Sequence, residues 1–462
     1  MVITLNVPTV LVVAGFDPSC GAGYVADVLT CRIVGVYAVV VPTCIVVQDL
    51  DRVYAVYDVD HKVQREIVNS VTKCLEIKCI KVGVIRSRHC VDLVRDLVTE
   101  LKCPLVVDPI HRARDGTTLT PLEVLQYLLR ELGSYITVLT PNIEEAELLS
   151  GRSIEGIDDV VEVAKYLTEL GPRAVLIKGG HLPTSSKVID VLYDRGSGVV
   201  KFFEHTRVGV KFHGIGCVLS SLVASHLAKG MGVVDAVEAS TSLLDTMIQY
   251  SYPIALGTEY SVVNVLAPLE RDALRYRVLC SVKCAVELLE RYGDVVSCLV
   301  PEVQMNLVEA LPHPYAKSIQ DVVGIPGRIV RVGGRVKAVS APDFGASRHV
   351  ARAVLTAMKF NPEVRSCANI VYCEELVRVL KELGYRISSF NRAEEPEHVK
   401  ATEGASIPWG IETAIKKVGY VPDAVIDYGD WGKEPHIYIF GKDAGDVVRK
   451  LIEVARKWKG DQ

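Results

Sequence analysis

The sequence predicts two α/β domains in tandem, and three observations carry that expectation. Up to about residue 250, short Val/Ile-rich runs alternate with longer amphipathic stretches, the pattern of a buried parallel sheet with crossover helices. Each run is followed at once by glycine or polar residues, where such sheets bind ligands. Around residues 251–275, near Pro253, Gly257 and Pro268, the pattern breaks without sustained helical periodicity, and a second alternation begins beyond it. A chain of 462 residues exceeds one ordinary core, so the break is read as a boundary between domains at 1–260 and 272–462.

Taken in order, the apolar runs at 9–15, 36–44, 80–85, 105–107, 138–140 and 174–178 predict the strands of the first domain. The residues at their ends are Gly15-Phe16-Asp17, Gln48-Asp49, Arg86-Ser87, Asp108-Pro109, Pro141-Asn142 and Gly179-Gly180-His181. In the second domain, 278–291, 348–359 and 374–383 carry helical stripes, and 328–332, 370–372, 425–427 and 437–440 read as strands. No internal repeat relates the halves.

Composition excludes several classes. With 52 basic against 56 acidic side chains and a pI near 6.3, no global field draws the chain to nucleic acid or an anionic membrane. No apolar run reaches the roughly 18 residues of a membrane span, because Pro42 and Gly15 interrupt the candidates. The 13 cysteines form neither CxxC pairs nor Cys/His clusters, so the expectation is a reduced, cytoplasmic chain without a disulfide framework or protein-ligated metal.

The segment His213-Gly214-Ile215-Gly216-Cys217-Val218-Leu219-Ser220-Ser221 precedes a helical stretch. Glycines at a helix start let backbone N–H groups converge on an anion such as phosphate. The same field would lower the thiol pKa of Cys217 and fit it to accept a proton or to act as an oxyanion donor. An ordinary loop with a buried cysteine fits these residues equally. Asn142 and Glu145, three apart at a helix start, suit a hydrated Mg2+ carrying nucleotide phosphates, or simply an N-cap with a first-turn carboxylate. The run Asp17-Pro18-Ser19-Cys20-Gly21-Ala22-Gly23, ahead of Asp27, is a loop that lets a ligand approach the backbone. In the second half, Arg328 and Lys433 have the chemistry to hold a diphosphate, and His349 that of an anion donor or general acid. Singly, each fits a solvated loop charge or a capping histidine as well.

Together, VAGFDPSCGAG, VVDPI, TPNIEEAELLSG, VLIKGGH and HGIGCVLSS resemble the hydroxymethylpyrimidine/phosphomethylpyrimidine kinases of the ribokinase-like fold over residues 8–235. The resemblance implies transfer of phosphoryl groups from ATP, with Mg2+, to the hydroxymethyl group of an aminopyrimidine and then to its monophosphate. It implies Gly15, Asp27 and Gln48 at the pyrimidine, and Asp108, Asn142, Glu145 and Lys178 at the nucleotide, with Asn142 and Glu145 reaching Mg2+ through water. Gly214, Gly216 and Cys217 would form the anion hole. Departures fall at Ile215 and Phe212, where threonine is usual, at Val84 and Phe16, and at Arg114-Asp115, where a lysine is usual. They make a slower kinase, or one limited to a single phosphorylation, an alternative reading.

The second half, through PEVQMN, GRI, DFGASRHVA, NIVY, FNRAEEPEHVK, EG and DYGDWGKEPHIYIFG, resembles the ThiN-type thiamine phosphate synthases over residues 275–455, with Asn391 in place of an aspartate. That resemblance implies condensation of the pyrimidine diphosphate with hydroxyethylthiazole phosphate. Arg328 and His349 would stand at the leaving group, and Asn369 and Lys433 at the substrates. A domain that senses thiamine phosphate without catalysis is the alternative for this half, and a kinase of another vitamin, such as pyridoxal, for the first. Partners are then small molecules, and homo-oligomerisation is an expectation from the fold.

Overall fold

The computed structural model describes residues 7–180, 187–253, 260–430 and 432–460. His181, Gly257 and Trp431 lie outside the described residues. The chain divides into two compact units, 1–269 and 270–462.

In the first unit the strands are β1 (Thr9–Phe16), β2 (Tyr37–Gln48), β3 (Val53–Asp58), β4 (Ile77–Val82), β5 (Leu105–Val107), β6 (Ile136–Leu139), β7 (Ala174–Ile177), β8 (Lys187–Asp194) and β9 (Val199–Thr206). They form one sheet in the order β3-β2-β1-β4-β5-β6-β7-β8-β9. The centre, β2 through β7, is parallel, whereas β3, β8 and β9 run antiparallel at the edges. The order reverses between β1 and β4, which opens a crevice at the carboxyl ends of those strands.

The helices are α1 (Gly23–Ile33), α2 (His61–Thr72), α3 (Arg88–Leu101), α4 (Leu122–Leu132), α5 (Ile143–Ser150), α6 (Ile157–Glu169), α7 (Ile215–Ala228) and α8 (Val233–Gln249). Side chains of a strand alternate between faces, so β1 sends Leu11 and Val13 into the core under α3 to α6 and Val10, Val12 and Ala14 into the core under α1, α7 and α8. Both faces are covered, which is why these strands read as unbroken apolar runs. The short strands β10 (Lys211–His213) and β11 (Tyr260–Val262) pair in parallel just before α7 and after α8.

The second unit begins within α9 (Ala267–Arg291), so residues from Ala267 onward are helical where the sequence showed no helical period. The cause is charge: Arg271 binds Asp321 at 3.0 Å and Arg275 stacks over Phe344 at 3.6 Å, so polar residues do the anchoring there. After α10 (Gly293–Val296) come β12 (Leu307–Ala310), β13 (Val322–Gly324), the hairpin β14 (Ile329–Val332) and β15 (Arg335–Ala338), then β16 (Asp343–Phe344), α11 (Arg348–Met358), β17 (Ser366–Val371), α12 (Glu374–Glu382), β18 (Ile387–Phe390), α13 (Glu397–Lys400), α14 (Ser406–Val418), β19 (Ala424–Asp427), β20 (His436–Gly441) and α15 (Ala444–Gly460). The sheet runs β16-β13-β12-β17-β20-β19-β18, with only β18 and β19 parallel. Helices α11 and α14 bury one face of it on Val308, Cys367, Val425, Tyr438 and Phe440. Among the described residues no helix is long and apolar enough to cross a membrane.

Candidate active sites

A cavity of about 1070 Å³ opens in the first unit where the sheet order reverses. Residues from the ends of β1, β2, β4, β5 and β7 and the start of α7 line it, including Gly15, Gln48, Val84, Asp108, Lys178 and Cys217. At Gly15 any Cβ would stand 2.8 Å from Cys44 Sγ, so only glycine lets β1 pass β2 there.

Beside it, Asp17 is caged by the Ser19 N–H and the Ala22 N–H, each at 2.9 Å, and by His213 Nε2 at 2.6 Å. Burial works against its charge, but hydrogen bonds with His213, Gln48 and Ser19 outweigh that and hold the carboxyl well below the usual carboxylate range. Gln48 thus joins Asp17 on the cavity wall.

Asp108 is fully buried. Its Oδ1 accepts from Lys178 Nζ at 2.8 Å and from Thr140 Oγ1 at 3.1 Å, while its Oδ2 is buried with no hydrogen-bond partner among the described residues. Asn142 and Glu145 form a reciprocal capping box on α5, each side chain accepting the other's backbone N–H at 2.8 Å. Burial pushes Glu145 up to about 7, with Lys178 pulling it back and Asp108 adding to the rise. Lys178 is held above the usual lysine range because Asp108 and Glu145 outweigh its desolvation.

Gly214 caps α7 at φ +86°, and a Cβ there would lie 1.8 Å from the Gly21 carbonyl oxygen. At Gly216 a Cβ would come 3.0 Å from Lys178 Nζ and 3.2 Å from Asp108 Oδ2. The start of α7 is therefore a cradle of backbone N–H groups facing a lysine and a carboxylate oxygen.

Two expectations need correction. Cys217 lines the cavity, yet burial pushes its thiol up to about 12 despite the nearby Lys81 ammonium, so it is a thiol and the helix field does not ionise it. Asp27 does not line the cavity. It is wholly buried on α1, where Oδ2 takes the Lys81 ammonium at 2.8 Å and Oδ1 the Ser221 hydroxyl at 2.8 Å. Lys81, at an alternate position of β4, points to the α1/α7 side and does reach the cavity wall. Sequence reasoning missed this pair and the Asp17–His213 contact because their members stand 54 and 196 residues apart.

In the second unit the strand ends converge again. Arg392, just after β18, grips Asp427 at the end of β19 with Nε and Nη2, at 2.6–3.0 Å. Asp427 pairs across the ladder with His436, whose imidazole burial pushes down while Asp427 pulls it up. Arg328, in a left-handed backbone at φ +74°, donates to the Val303 carbonyl. Glu434 accepts from the N–H groups of Glu302 at 2.9 Å and Val303 at 2.8 Å, so the loop carrying Lys433 and the one holding Arg328 are tied together. His349, in the first turn of α11, is held below the usual histidine range by desolvation and then by Arg352, Arg328, Arg392 and His436. Arg328 thus acts electrostatically on His349 along with Arg352, Arg392 and His436, and Lys433 stands exposed on the tied loop.

Asn369 is a third correction. Its Oδ1 accepts from the Asn306 N–H at 2.8 Å and its Nδ2 donates to the Gln304 carbonyl at 3.0 Å, so both ends of the buried amide are engaged in fixing the 304–306 backbone. Asn391 caps the turn at 392–394 through Ala393 N–H at 3.0 Å, a contact that aspartate makes equally. Arg392 and His436 had no signal in the sequence beyond lying inside the quoted motifs, and Arg352, one residue past DFGASRHVA, had none.

The first unit is similar to the pyridoxal kinase of Bacillus subtilis solved with ADP, at a TM-score of 0.53 and 29% identity, over 57% of this chain and 99% of that one. Fold and cavity together define a kinase of the ribokinase-like class with a second, smaller α/β unit behind it. The phosphomethylpyrimidine kinase family model matches residues 17–264, and the thiamine-phosphate synthase ThiN model matches 281–453. The bifunctional thiamine biosynthesis protein ThiDN of Methanocaldococcus jannaschii is 29% identical over 450 residues, covering 97% of this chain and 98% of that protein. The hydroxymethylpyrimidine/phosphomethylpyrimidine kinase of Aquifex aeolicus is 32% identical over 250 residues (54% of this chain, 97% of that protein), and the thiamine-phosphate synthase ThiN of Methanothermobacter thermautotrophicus is 38% identical over 179 (39% and 93%). The chain belongs to the phosphomethylpyrimidine kinase family and carries a ThiN thiamine-phosphate synthase domain behind the kinase, a bifunctional enzyme of thiamine biosynthesis.

Proposed function

We propose that the cavity of the first unit, within residues 1–260, phosphorylates the hydroxymethyl group of the aminopyrimidine and then the monophosphate, using ATP and Mg2+. Residues 272–462 then join the resulting diphosphate to hydroxyethylthiazole phosphate, giving thiamine phosphate and pyrophosphate. The observation that carries the kinase assignment is the unpartnered, buried Oδ2 of Asp108 facing the Gly216 cradle. A buried carboxylate oxygen without a donor calls for a cation or a hydroxyl.

The donor set fits a hydrated Mg2+ with nucleotide phosphates: Asp108, Asn142 and Glu145 offer oxygen ligands, directly or through water, and Lys178 a fixed positive charge. When bound, Mg2+ neutralises charge developing on the transferred phosphoryl group. The chain positions the reactants. Gly15 leaves space for the pyrimidine ring, and Gln48, hydrogen-bonded to Asp17, presents an amide to its nitrogens. The backbone N–H groups of Gly214, Gly216 and Cys217 receive the phosphoryl oxygens, and the Cys217 thiol orients the acceptor hydroxyl. Ile215 and Phe212 remove hydroxyl donors but leave these backbone donors in place.

In the second unit the methylene carbon loses its bond to the diphosphate as the thiazole nitrogen forms a new C–N bond, and the electron pair departs with pyrophosphate. Arg328 and His349 hold that leaving group, and Lys433 adds a mobile positive charge on the tied loop. Asn369 acts on the substrates only through the 304–306 backbone it fixes. The cationic cluster supports catalysis over sensing.

The test is to incubate the full chain with hydroxymethylpyrimidine, ATP, Mg2+ and hydroxyethylthiazole phosphate, beside a sample given the pyrimidine diphosphate. Thiamine phosphate in both is expected. Product only from supplied diphosphate would remove the kinase assignment, and binding of thiamine phosphate with no product in either would make the second unit a sensor.

A further inference from the structure

The Glu403-Gly404 pair is one motif to which neither half of the reaction has assigned a purpose. Gly404 adopts φ +79°, and a Cβ there would lie 2.4–2.8 Å from the guanidinium atoms of Arg352. The left-handed backbone favours glycine, and the guanidinium packs where a Cβ would stand, so this turn is a seat for Arg352 that a larger residue would fill by displacing it. Arg352 stands one turn after His349 on α11, and residues three apart share a helix face. Among the described residues its guanidinium has no hydrogen-bond or ion-pair partner. Other partly buried arginines of this unit are paired, Arg365 with Glu309 at 3.2 Å and Arg271 with Asp321 at 3.0 Å. A partly buried guanidinium that acts on His349 together with Arg328 and Arg392 and has no carboxylate of its own is unfavourable, and an anionic ligand removes that cost.

We infer that Arg352, seated on Gly404, binds the diphosphate of the pyrimidine substrate and completes a three-arginine site with Arg328 and Arg392; this rests on the synthase reading of the second unit. Arg392 is oriented by Asp427 through Nε and Nη2, and its Nη1 has no partner among the described residues. Planar guanidinium forks match phosphate oxygens two at a time, which a diphosphate leaving group, gaining charge as its C–O bond breaks, exploits more than a monoester does. Arg352 stays protonated throughout; it holds the departing oxygens and exchanges no proton.

The test uses the full chain, with inorganic pyrophosphate as the binding probe and condensation from supplied pyrimidine diphosphate as the kinetic one. In Arg352→Gln, pyrophosphate affinity should fall about tenfold to a hundredfold, the scale of a lost charge-assisted pair. The KM for the pyrimidine diphosphate should rise with it, while the KM for thiazole phosphate and the phosphorylation of hydroxymethylpyrimidine stay within about twofold. Arg352→Lys should recover part of the affinity, and Gly404→Ala, which keeps the arginine but fills its seat, should reproduce the loss. Unchanged pyrophosphate affinity in folded Arg352→Gln would overturn the inference. Wild-type protein that binds pyrophosphate through Arg352 but forms no thiamine phosphate would uphold the site and overturn the synthase reading instead.

Discussion

Replacing Lys81 with methionine removes the ammonium that Asp27 holds at 2.8 Å, with both side chains fully buried. At that distance the attraction is about 6 kcal/mol with an effective dielectric of 20, so the pair offsets much of its own desolvation. Burial pushes the Asp27 carboxyl up and Lys81 pulls it down. Without the ammonium only the Ser221 hydroxyl remains to solvate it. Breaking a buried pair costs about 3–5 kcal/mol. Protonation of Asp27 sets a ceiling, because a lone buried carboxyl takes up a proton rather than stay charged. The sign follows from the raised folded pKa, since the penalty is full above that value and vanishes below about 3.8, where both states carry the proton. The loss in Lys81→Met should therefore shrink as pH falls from 7 towards 4, and Lys81→Met/Asp27→Asn should recover most of it. Trp409, Trp431 and Trp458, the three tryptophans, all lie in the second unit, so their fluorescence in urea serves as the internal control. Hydrogen exchange across β4 and α7 reads the first unit. A loss under about 1 kcal/mol at pH 7, or a double variant no better than the single, would refute the reasoning.

Two other outcomes are expected. Gly216→Ala places a methyl 3.0 Å from Lys178 Nζ and should slow pyrimidine phosphorylation about tenfold to a hundredfold with condensation intact; rates within twofold would contradict the cradle. His205 lies between Asp190 at 3.5 Å and Asp245 at 2.8 Å, and although burial lowers its pKa, those carboxylates push it up to about 10. Its folded pKa is raised, so the stabilisation is full below about 6.5 and lost as pH rises through about 10. His205→Asn should cost the first unit about 1–2 kcal/mol at pH 6, after discounting for the half-exposed Asp245, and nothing measurable above pH 10, followed by hydrogen exchange.

The central strands were legible because both faces of the sheet are covered, so 9–15 and 105–107 are apolar throughout and need no periodicity to be found. The edges were not: β8 and β9 carry Lys187, Asp190, Lys201 and Glu204, and their pairing is fixed by the partner strand more than by composition. The start of α9 was hidden because its anchors are arginines. At the sites, motif order brought Gly214, Gly216, Asp108, Lys178, Arg328 and His349 forward. What it could not carry was environment. Cys217 sits at a helix start, and burial overrules the helix field there. Asp27 and Asn369 carry ligand chemistry, yet each is engaged by another part of the protein. Lys81 in an apolar run and Arg352 in a helix look like solvated charges until the fold sets one against Asp27 and the other on Gly404.

The central claim is the division of labour between the two units, and crossed assays of Cys217→Ala and Arg328→Ala in the full chain test it most directly. Each variant is given hydroxymethylpyrimidine with ATP and Mg2+, and separately the pyrimidine diphosphate with thiazole phosphate, and products are followed by mass. Cys217→Ala should lose phosphorylation by about tenfold or more and keep condensation, and Arg328→Ala should do the reverse. Equal damage to both reactions by either change, in protein that still folds, would contradict the account.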